Sequence, residues 1–510
     1  MMSARWHIFP LLLLLLGLVA CGGSPDDGAA TPALELDNAV LMPVDGDATV
    51  SFTVWFKVGS QNDPAGKEGL AALTGSLVSD GATSNNAYAE ILEKLYPIAS
   101  GYGVQVDKEM TTLTGRTHRD NLELFFELFS DAYLRPAFDA ADFERLKAVQ
   151  KSSIETSLRF SNDEELGKAA LTSFVFGGST YQHPIAGTVQ GLDSITLDDV
   201  KAFYAKHYNR GNAVIGLGGG FDDELAKRFH ATLAELPEGS EVAAATVTAA
   251  AIDGRQVLLV DKPGADASIS FGFPVGVSRG ERDFYALWIA NSWLGEHRNT
   301  SSHLFQVIRE IRGLNYGDYS YIEAFPAGGF RQMPPTGVAR RHQLFEGWIR
   351  TLPNEQSIFA LRAALREIDD LVENGMSEEE FELTRSFLQT YHLHFAPTTS
   401  ARLGYRVDDA FYGIEDPGHL ARFGEMMQSI TREEVNAALK KYLQTANLKI
   451  AIVTGDVAGL KAAFESGEPT PITYASPKSD EVLEEDKVIA AYPLDIASIE
   501  TIGVKEIFEQ

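Results

Sequence analysis

The sequence has 510 residues, of which 45% are hydrophobic and 10% aromatic, enough for at least two domains with their own cores. This composition excludes a disordered chain, which would carry far fewer apolar residues. The formal net charge of −28 excludes nucleic acid as a partner, because phosphates are bound by Lys and Arg. Such acidity is typical of an exported protein that must stay soluble.

The first residues predict an export signal followed by a lipid anchor. Arg5 precedes the apolar run IFPLLLLLLGLVA, which is short for a transmembrane helix, and Cys21 follows directly. The stretch LVAC resembles the bacterial lipoprotein signal, in which the Cys is lipidated. We therefore predict a signal peptide and lipobox at 1–21, a flexible tether at 22–36, and a periplasm-facing location in the cell envelope. Gly22 follows the Cys where an Asp would favour the inner membrane, so we expect the outer membrane.

The next predicted elements have the form of a metal site without its ligands. A β-rich run, ATVSFTVWFKVGSQND, is followed by a predicted helix over residues 67–81. A metal-binding helix places two imidazoles at i and i+4, with a carboxylate between them. These three positions hold Ala72, Gly75 and Ser76, so the helix predicts no metal binding of its own.

A long repeat predicts two related halves. Residues 194–229 and 429–464 align without a gap, and both begin with Ser-Ile-Thr. In each copy a Thr, Thr196 or Thr431, precedes an acidic first turn, which is typical of a capped helix. An apolar strand, a Gly turn and a second amphipathic helix follow. The same order twice predicts two homologous α/β domains.

The domain boundaries follow from this repeat. The β-like segment FTVWFKVGS has its counterpart in ISFGFPVGV, so the repeat extends upstream of the aligned copies. We place the first domain at 37–240 and the second at 250–465. The C-terminal extension, 466–510, is charged at first but ends in apolar pieces, so we expect it to pack along the body.

At this point the sequence resembles the insulinase/pitrilysin family of peptidases, which carry an inverted zinc motif. The resemblance covers about residues 36–465 and rests on YQHPIAGTVQGLDSITLDDVKAFYAKHYNRGNAVIGLGGGFD and SSHLFQVIREIRGLNYGDYSY. It implies an α/β (α+β) fold, in which two homologous α/β roll domains form half of a peptidase clamshell. In this family a peptide is added as a β-strand at a sheet edge.

The resemblance also implies that the zinc chemistry is lost. In active members a His-x-x-Glu-His helix supplies two zinc ligands and the general base, and a later Glu is the third ligand. Ala72 and Ser76 stand in the histidine positions, Gly75 in the position of the base, and Ser153 in that of the third ligand. Glu155 is near in sequence, but two residues along a helix point it to another face. We expect no cofactor in this chain and zinc in a partner subunit.

Other candidate patterns favour structure over chemistry. Among the 11 histidines, neither the pair at 392–394 nor His297 has a second ligand at i+4 with a carboxylate partner. We interpret them as ordinary polar or half-buried residues. The run GLGGG at 216–220 lacks the last glycine of a nucleotide-binding loop, because that position is Phe221. A turn at a strand end explains it better.

One functional element survives in the second half. In two-chain bacterial members of the family, one chain carries the zinc motif, and its partner supplies an Arg and a Tyr that reach the scissile peptide. The matching residues here are Arg309 and Tyr316, with Arg312 as the alternative to Arg309. Both side chains donate hydrogen bonds, which suits a carbonyl oxygen that gains charge.

The predicted function is therefore that of a zinc-less pseudopeptidase subunit. It would bind peptides, form a heterodimer with a zinc-motif homologue, and contribute to metalloendopeptidase activity only in that complex. The alternative is a non-catalytic scaffold or peptide-binding lipoprotein with the same fold. An independent protease would need a metal site that the sequence does not show.

Overall fold

The computed structural model describes residues 34–243 and 246–510. The predicted signal peptide, Cys21 and most of the predicted tether lie outside the described residues, so lipidation stays a prediction. In the described part of the chain, no helix is both long and apolar enough to cross a membrane.

The first sheet has five strands in the spatial order β1-β5-β2-β4-β3. β1 pairs with β5 in parallel, and the other neighbours are antiparallel. This order places β3 at one edge of the sheet. The strands are β1 (Ala39–Pro43), β2 (Thr49–Phe56), β3 (Gly101–Val106), β4 (Thr111–His118) and β5 (Ala213–Gly219).

The second sheet repeats this order and adds one strand. Its spatial order is β11-β6-β10-β7-β9-β8, so the five strands from β6 to β8 follow the pattern of the first sheet. β11 pairs in parallel with β6 at the outer edge. The strands are β6 (Arg255–Asp261), β7 (Ala267–Val275), β8 (Asp318–Tyr321), β9 (Gln343–Leu352), β10 (Leu448–Thr454) and β11 (Ile496–Gly503).

Helices surround both sheets. Those of the first half are α1 (Leu70–Asp80), α2 (Tyr88–Leu95), α3 (Leu122–Leu134), α4 (Ala140–Ser152), α5 (Asp163–Val175), α6 (Val189–Ser194), α7 (Leu197–His207) and α8 (Asp223–Ala231). Those of the second half are α9 (Arg282–Gly295), α10 (Ser357–Asn374), α11 (Glu378–Tyr391), α12 (Thr399–Tyr412), α13 (His419–Ser429), α14 (Arg432–Tyr442), α15 (Val457–Ser466) and α16 (Asp480–Ala490). Two segments are π-helical, Ser153–Ser161 and Phe305–Glu310.

The repeat predicted from sequence is present as structure. In the first copy Thr196 Oγ1 accepts the Asp199 amide at 3.3 Å, and the Asp199 carboxylate accepts the Thr196 amide at 2.8 Å. Thr431 and Glu434 form the same reciprocal cap at the same distances. Each capped helix is followed by a strand and then a helix, and the two-fold α/β fold prediction is confirmed.

Each half covers part of the other half's sheet. α5, from the first half, packs on β7 and β10, whereas α12, from the second half, packs on β2 and β5. The glycines of GLGGG make the second contact close. A Cβ at Gly216 would lie 3.3 Å from Val407 and 3.4 Å from Leu403, both on α12. The glycine run therefore serves helix packing inside β5 as well as the turn that ends the strand.

The C-terminal extension packs on the body, as expected from its apolar pieces. After β11, residues 504–510 leave the second sheet and bind the first half; we call them the C-terminal strap. Phe508 O accepts the Val189 amide at 3.0 Å, and Glu509 O accepts the Gln190 amide at 2.9 Å. Buried Arg159, on the first π-helical segment, donates to Ile507 O at 2.7 and 3.0 Å.

Candidate functional site

The degenerate motif lies on α1, as the sequence predicts. Ala72 and Ser76 are half-buried on one face, and Gly75 is buried. Asp63 precedes the helix and accepts the amides of Gly69 and Ala71 at 2.7 Å each. Burial raises the pKa of Asp63 to about 7, against these two hydrogen bonds, which lower it. The Asp63 carboxyl group therefore caps the N-terminus of α1 and does not occupy the predicted position of the base.

The position of the base is closed by packing. α1 lies against β3, and a Cβ at Gly75 would stand 2.7 Å from Val106 Cγ2 and 3.3 Å from Val104 Cγ2. The nearer distance is below any ordinary carbon–carbon contact, so even an Ala requires the neighbouring valine side chains or their backbone to shift. The predicted position of the base therefore holds no chemical group, and its packing leaves little space for a larger side chain.

Ser153, in the predicted third-ligand position, forms its side-chain hydrogen bond within its own helical segment. Ser153 Oγ donates to its own helix, to Gln150 O at 2.7 Å, and Glu155 is exposed. Buried Gln150 makes the contact instead: its Nε2 donates to Gly69 O and to Ala186 O, both at 2.9 Å. Sequence reasoning missed Gln150, although it lies on the same helical face, three residues before Ser153.

Among the residues described by the structure, no group of three His, Cys, Asp or Glu side chains lies close enough to hold a metal ion. His297 bonds Tyr321 Oη at 2.8 Å and Arg331 O at 2.9 Å, and burial lowers its pKa to about 4. His392 bonds Leu388 O at 2.9 Å. Both histidines are occupied with local structure.

Arg309 and Tyr316 lie at the end of the second π-helical segment and in the loop that follows it. Tyr316 is 78% exposed and, with Tyr96 and Phe330, is one of three aromatic side chains among the described residues that are more than three-quarters exposed. The side chain of Arg309 is 38% exposed, pairs with the adjacent Glu310, and lies over the ring of Phe305. Neither side chain is used by the core, and π-helical segments are frequent at functional sites.

The loop that carries Tyr316 is held in place by its neighbours. Asn315 Nδ2 donates to Asp318 Oδ1 at 2.8 Å and to Arg350 O at 3.2 Å. At Gly317 a Cβ would meet the hydroxyl of Tyr319 at 2.2 Å, so this position requires glycine. Tyr316 is thus an exposed side chain on a fixed backbone, which suits a group that must be positioned before substrate arrives.

Arg312 has a different role. Its side chain is fully buried and donates to Val307 O, Asp486 Oδ1 and Glu485 Oε2, each at 2.8 Å. The two carboxylates belong to α16 of the C-terminal extension. Each of its three guanidinium nitrogens donates a hydrogen bond, two of them to α16, which leaves Arg309 as the accessible guanidinium of the two candidates.

β3 offers an open sheet edge beside α1. In the described part of the chain, no strand pairs with its outer side. Residues 101–106 are exposed or half-buried, and a Cβ at Gly103 would meet nothing within 4 Å. Near the far end Gln105 Nε2 donates to Thr336 O and Gly337 O at 3.2 Å each, so a second-half loop borders the edge. An extended peptide could add here as a further strand.

Comparison with known families agrees with this fold. A family model described as insulinase (peptidase family M16) matches residues 39–189, and one described as the peptidase M16 inactive domain matches residues 194–388. Together these regions make up more than half of the chain. The protein belongs to the insulinase family and is of its inactive type, and the family prediction is confirmed.

Individual relatives have low sequence identity to this chain but match most of its length. An uncharacterized zinc protease of Streptomyces coelicolor is 25% identical over 65% of this chain and 69% of its own length. The non-peptidase homolog YmxG of Helicobacter pylori is 21% identical over 78% of this chain and 87% of its own. A crystal structure of a peptidase M16 inactive domain from Pseudomonas fluorescens covers 82% of this chain and 96% of its own, with 22% identity and a TM-score of 0.72. This structural likeness establishes the fold.

Proposed function

We propose that this protein is the zinc-less subunit of a heteromeric metallopeptidase of the cell envelope. It binds peptides, supplies Arg309 and Tyr316 to a zinc site on a partner chain, and hydrolyses nothing alone. The observation that carries the proposal is the exposure of Tyr316 on a fixed loop, in a chain whose own base position is closed at Gly75.

The chemistry assigned to the pair is stabilisation of developing charge. When a zinc-activated water attacks a peptide carbonyl, its oxygen becomes negative, and donors that are already positioned lower the barrier. The Tyr316 hydroxyl and the Arg309 guanidinium are such donors. Zinc itself would be bound by the partner, since Ala72, Ser76 and Ser153 offer no suitable ligand set.

Peptide binding would use the open edge of β3. Backbone hydrogen bonds to an edge strand bind extended peptides with little sequence selectivity. The proposal of this edge rests on its free outer side and on the adjacent degenerate helix α1.

The decisive experiment uses the full-length lipoprotein assembled with a zinc-motif homologue. We expect the complex to hydrolyse unfolded peptides and this chain by itself to hydrolyse none. Tyr316→Phe should lower kcat about a hundredfold, the usual effect of losing one donor to a developing oxyanion. Arg309→Ala should lower turnover too. Metal content and assembly should be unchanged in both variants.

Tyr96→Phe is the matched control, because Tyr96 is 88% exposed but lies after α2, away from the Arg309–Tyr316 loop in sequence. Its turnover should equal that of the wild type. If Tyr316→Phe and Arg309→Ala both assemble and cleave at the wild-type rate, the in-trans mechanism is wrong. The alternative function, a non-catalytic scaffold or peptide-binding lipoprotein, would then take its place.

Membrane attachment is proposed from the lipobox and is tested separately. Cys21→Ser should leave an unprocessed or soluble form that no longer fractionates with the outer membrane. A variant that still does so would mean that another anchor holds the protein.

A further inference from the structure

A cavity of about 200 Å³ lies between the two halves of the chain. Its first wall is formed by α5 and by residues 182–185 of the first half. Its second wall comes from residues 323–326 and 340–346 of the second half. Glu165, Phe325 and Leu344 at its lining are half-buried, so the cavity is in contact with solvent.

Most charged groups in the lining already have partners. Arg340 is bound to Asp107, with Nη2 3.0 Å from Oδ2. Glu323 is bound to Arg279 by two hydrogen bonds of 2.8 and 2.9 Å. Lys108 donates to a backbone carbonyl on the same wall. These groups contribute little free hydrogen-bonding capacity.

Two glutamates are different. Glu165 Oε1 and Glu346 Oε1 are buried, and neither accepts a hydrogen bond from any residue in the described ranges. An unpaired buried carboxylate oxygen is unfavourable, because it has lost water without gaining a donor. Burial raises the pKa of Glu346, and the neighbouring charge of Glu165 adds to that effect. The charge of Glu165 thus acts on Glu346 within the lining of the same cavity.

One ammonium faces them without forming an ion pair. Lys168 is 7% exposed, and its Nζ lies 4.1 Å from the ring centre of Trp348 and 4.6 Å from that of Tyr321. Its one hydrogen bond, to Phe325 O, is long at 3.5 Å. Lys168 lowers the pKa of Glu346 through space, and its ammonium group lies over the two aromatic rings. Two carboxyl groups, each with one oxygen that accepts no hydrogen bond within the described residues, therefore line the cavity beside one ammonium.

We propose that this cavity binds a single cationic group on an apolar stem, an alkylammonium or alkylguanidinium, whose N–H groups donate to Glu165 and Glu346. The stem fits the apolar part of the lining, which includes Phe176, Ile185 and Leu344. A bound monocation supplies N–H donors to both of these oxygens and a charge that favours their ionised form.

The cation has two possible sources with the same chemistry. It is either a free small amine or the Lys or Arg side chain of a bound peptide. The second source rests on the proposed peptide-binding function and would make the cavity a specificity pocket. Lys108, in the lining, follows the end of β3 by two residues, so the cavity lies at one end of the open edge.

The free-amine arm is a calorimetric titration of the full chain with n-butylammonium, with n-pentanol as the uncharged analogue of similar size. We expect one saturable site for the amine and none for the alcohol. Glu165→Gln and Glu346→Gln should each weaken binding at least about tenfold, because each removes one partner of a buried charge pair. Glu144→Gln, an exposed glutamate on α4, should bind like the wild type.

The peptide arm compares two peptides that differ only in one residue, lysine against norleucine. Tighter binding of the lysine peptide, lost in Glu165→Gln, assigns the cavity to peptide side chains. If both peptides bind equally while n-butylammonium uses the site, peptide binding stands and the cavity takes free amines. If neither cation source binds, or the glutamine variants bind as the wild type does, the cavity holds water only and the inference is overturned.

Discussion

Gly75 links the loss of chemistry to the packing of the first half. Helix α1 approaches β3 closely because this position has no side chain, and the valines at 104 and 106 fill the space. A glutamate at position 75 requires its neighbours to shift, because even its Cβ would lie 2.7 Å from Val106 Cγ2. The degenerate site is therefore stabilised by packing.

Gly75→Ala is expected to destabilise the protein by about 1 kcal/mol. Alanine favours a helix interior by nearly 1 kcal/mol over glycine, but overpacking a core typically costs more than that. Urea unfolding measures the difference. Gly103→Ala is the control, because a Cβ there meets nothing within 4 Å, and it should be neutral or slightly stabilising. A stabilised Gly75→Ala protein would contradict the close packing of α1 on β3.

Glu296 should make stability depend on pH. Burial raises its pKa to about 7, and Ser292 Oγ donates to it at 2.6 Å. The folded state thus holds a proton that the unfolded state releases above its ordinary pKa of about 4.3. The stability from this group is full below that pH and is lost as the pH rises to about 7.

Glu296→Gln keeps an acceptor but cannot ionise. We expect the variant to gain stability over the wild type as the pH rises from 5 to 8, by up to about 3 kcal/mol at the top. Urea midpoints at each pH measure this gain. Parallel pH profiles for the variant and the wild type would show that Glu296 is already ionised in the folded protein.

At the scale of elements, the structure distinguishes the roles of two arginines in the stretch from the second π-helical segment to β8, which the sequence could not do. Arg309 and Arg312 are three residues apart, and both precede the Gly-Leu-Asn-Tyr loop. Only the position of α16, far along the chain, decides that Arg312 forms ion pairs with Asp486 and Glu485. The sequence left this choice open because its deciding contact is non-local.

Substitution of Arg312 should therefore lower the free energy of unfolding, whereas substitution of Arg309 should leave it almost unchanged. Arg312→Ala leaves Asp486 buried without its partner and should cost about 3 to 5 kcal/mol in the free energy of unfolding. Arg309→Ala removes an exposed side chain and should change it by less than about 0.5 kcal/mol. Chemical denaturation of both variants decides the matter. Equal losses would mean that Arg309 is also a packing residue.

At the scale of the whole molecule, each half contributes a helix that packs on the sheet of the other half. α5 and α12 each cover the sheet of the other half, and the C-terminal strap runs from the second sheet to α6 and the first π-helical segment. The strap thereby binds the helix that carries the degenerate third-ligand position. Its docking connects the second half to the scaffold around α1.

Arg159→Ala should release this strap. The variant loses three hydrogen bonds, to Ile507 O and to Glu509, and we expect about 3 kcal/mol of destabilisation. Hydrogen exchange should also quicken at the Val189 and Gln190 amides, which the strap protects. Arg228→Ala, which breaks an exposed pair with Glu123, is the control and should change little. Unchanged exchange at both amides would mean that the strap is held by its other contacts.

The sequence by itself predicted the duplicated α/β fold and the capped helices, which the structure shows, and the loss of the zinc motif, which stays a prediction. Each of these is written locally: the period of apolar residues, a Thr followed by an acid three positions on, or the identity of residues at i, i+3 and i+4. The family resemblance added Arg309 and Tyr316 through a short contiguous motif. Where the information lies within about a dozen residues, the sequence was sufficient.

Tertiary structure alone decided the remaining features. Gln150 bonds the residue before α1, Arg312 pairs with two carboxylates of the C-terminal extension, and Glu165 and Glu346, from different halves, line one cavity. Each depends on which distant segments are brought together and on which charges lose water there. No local pattern encodes that partnership, because burial and its electrostatic consequences exist only after the chain has packed.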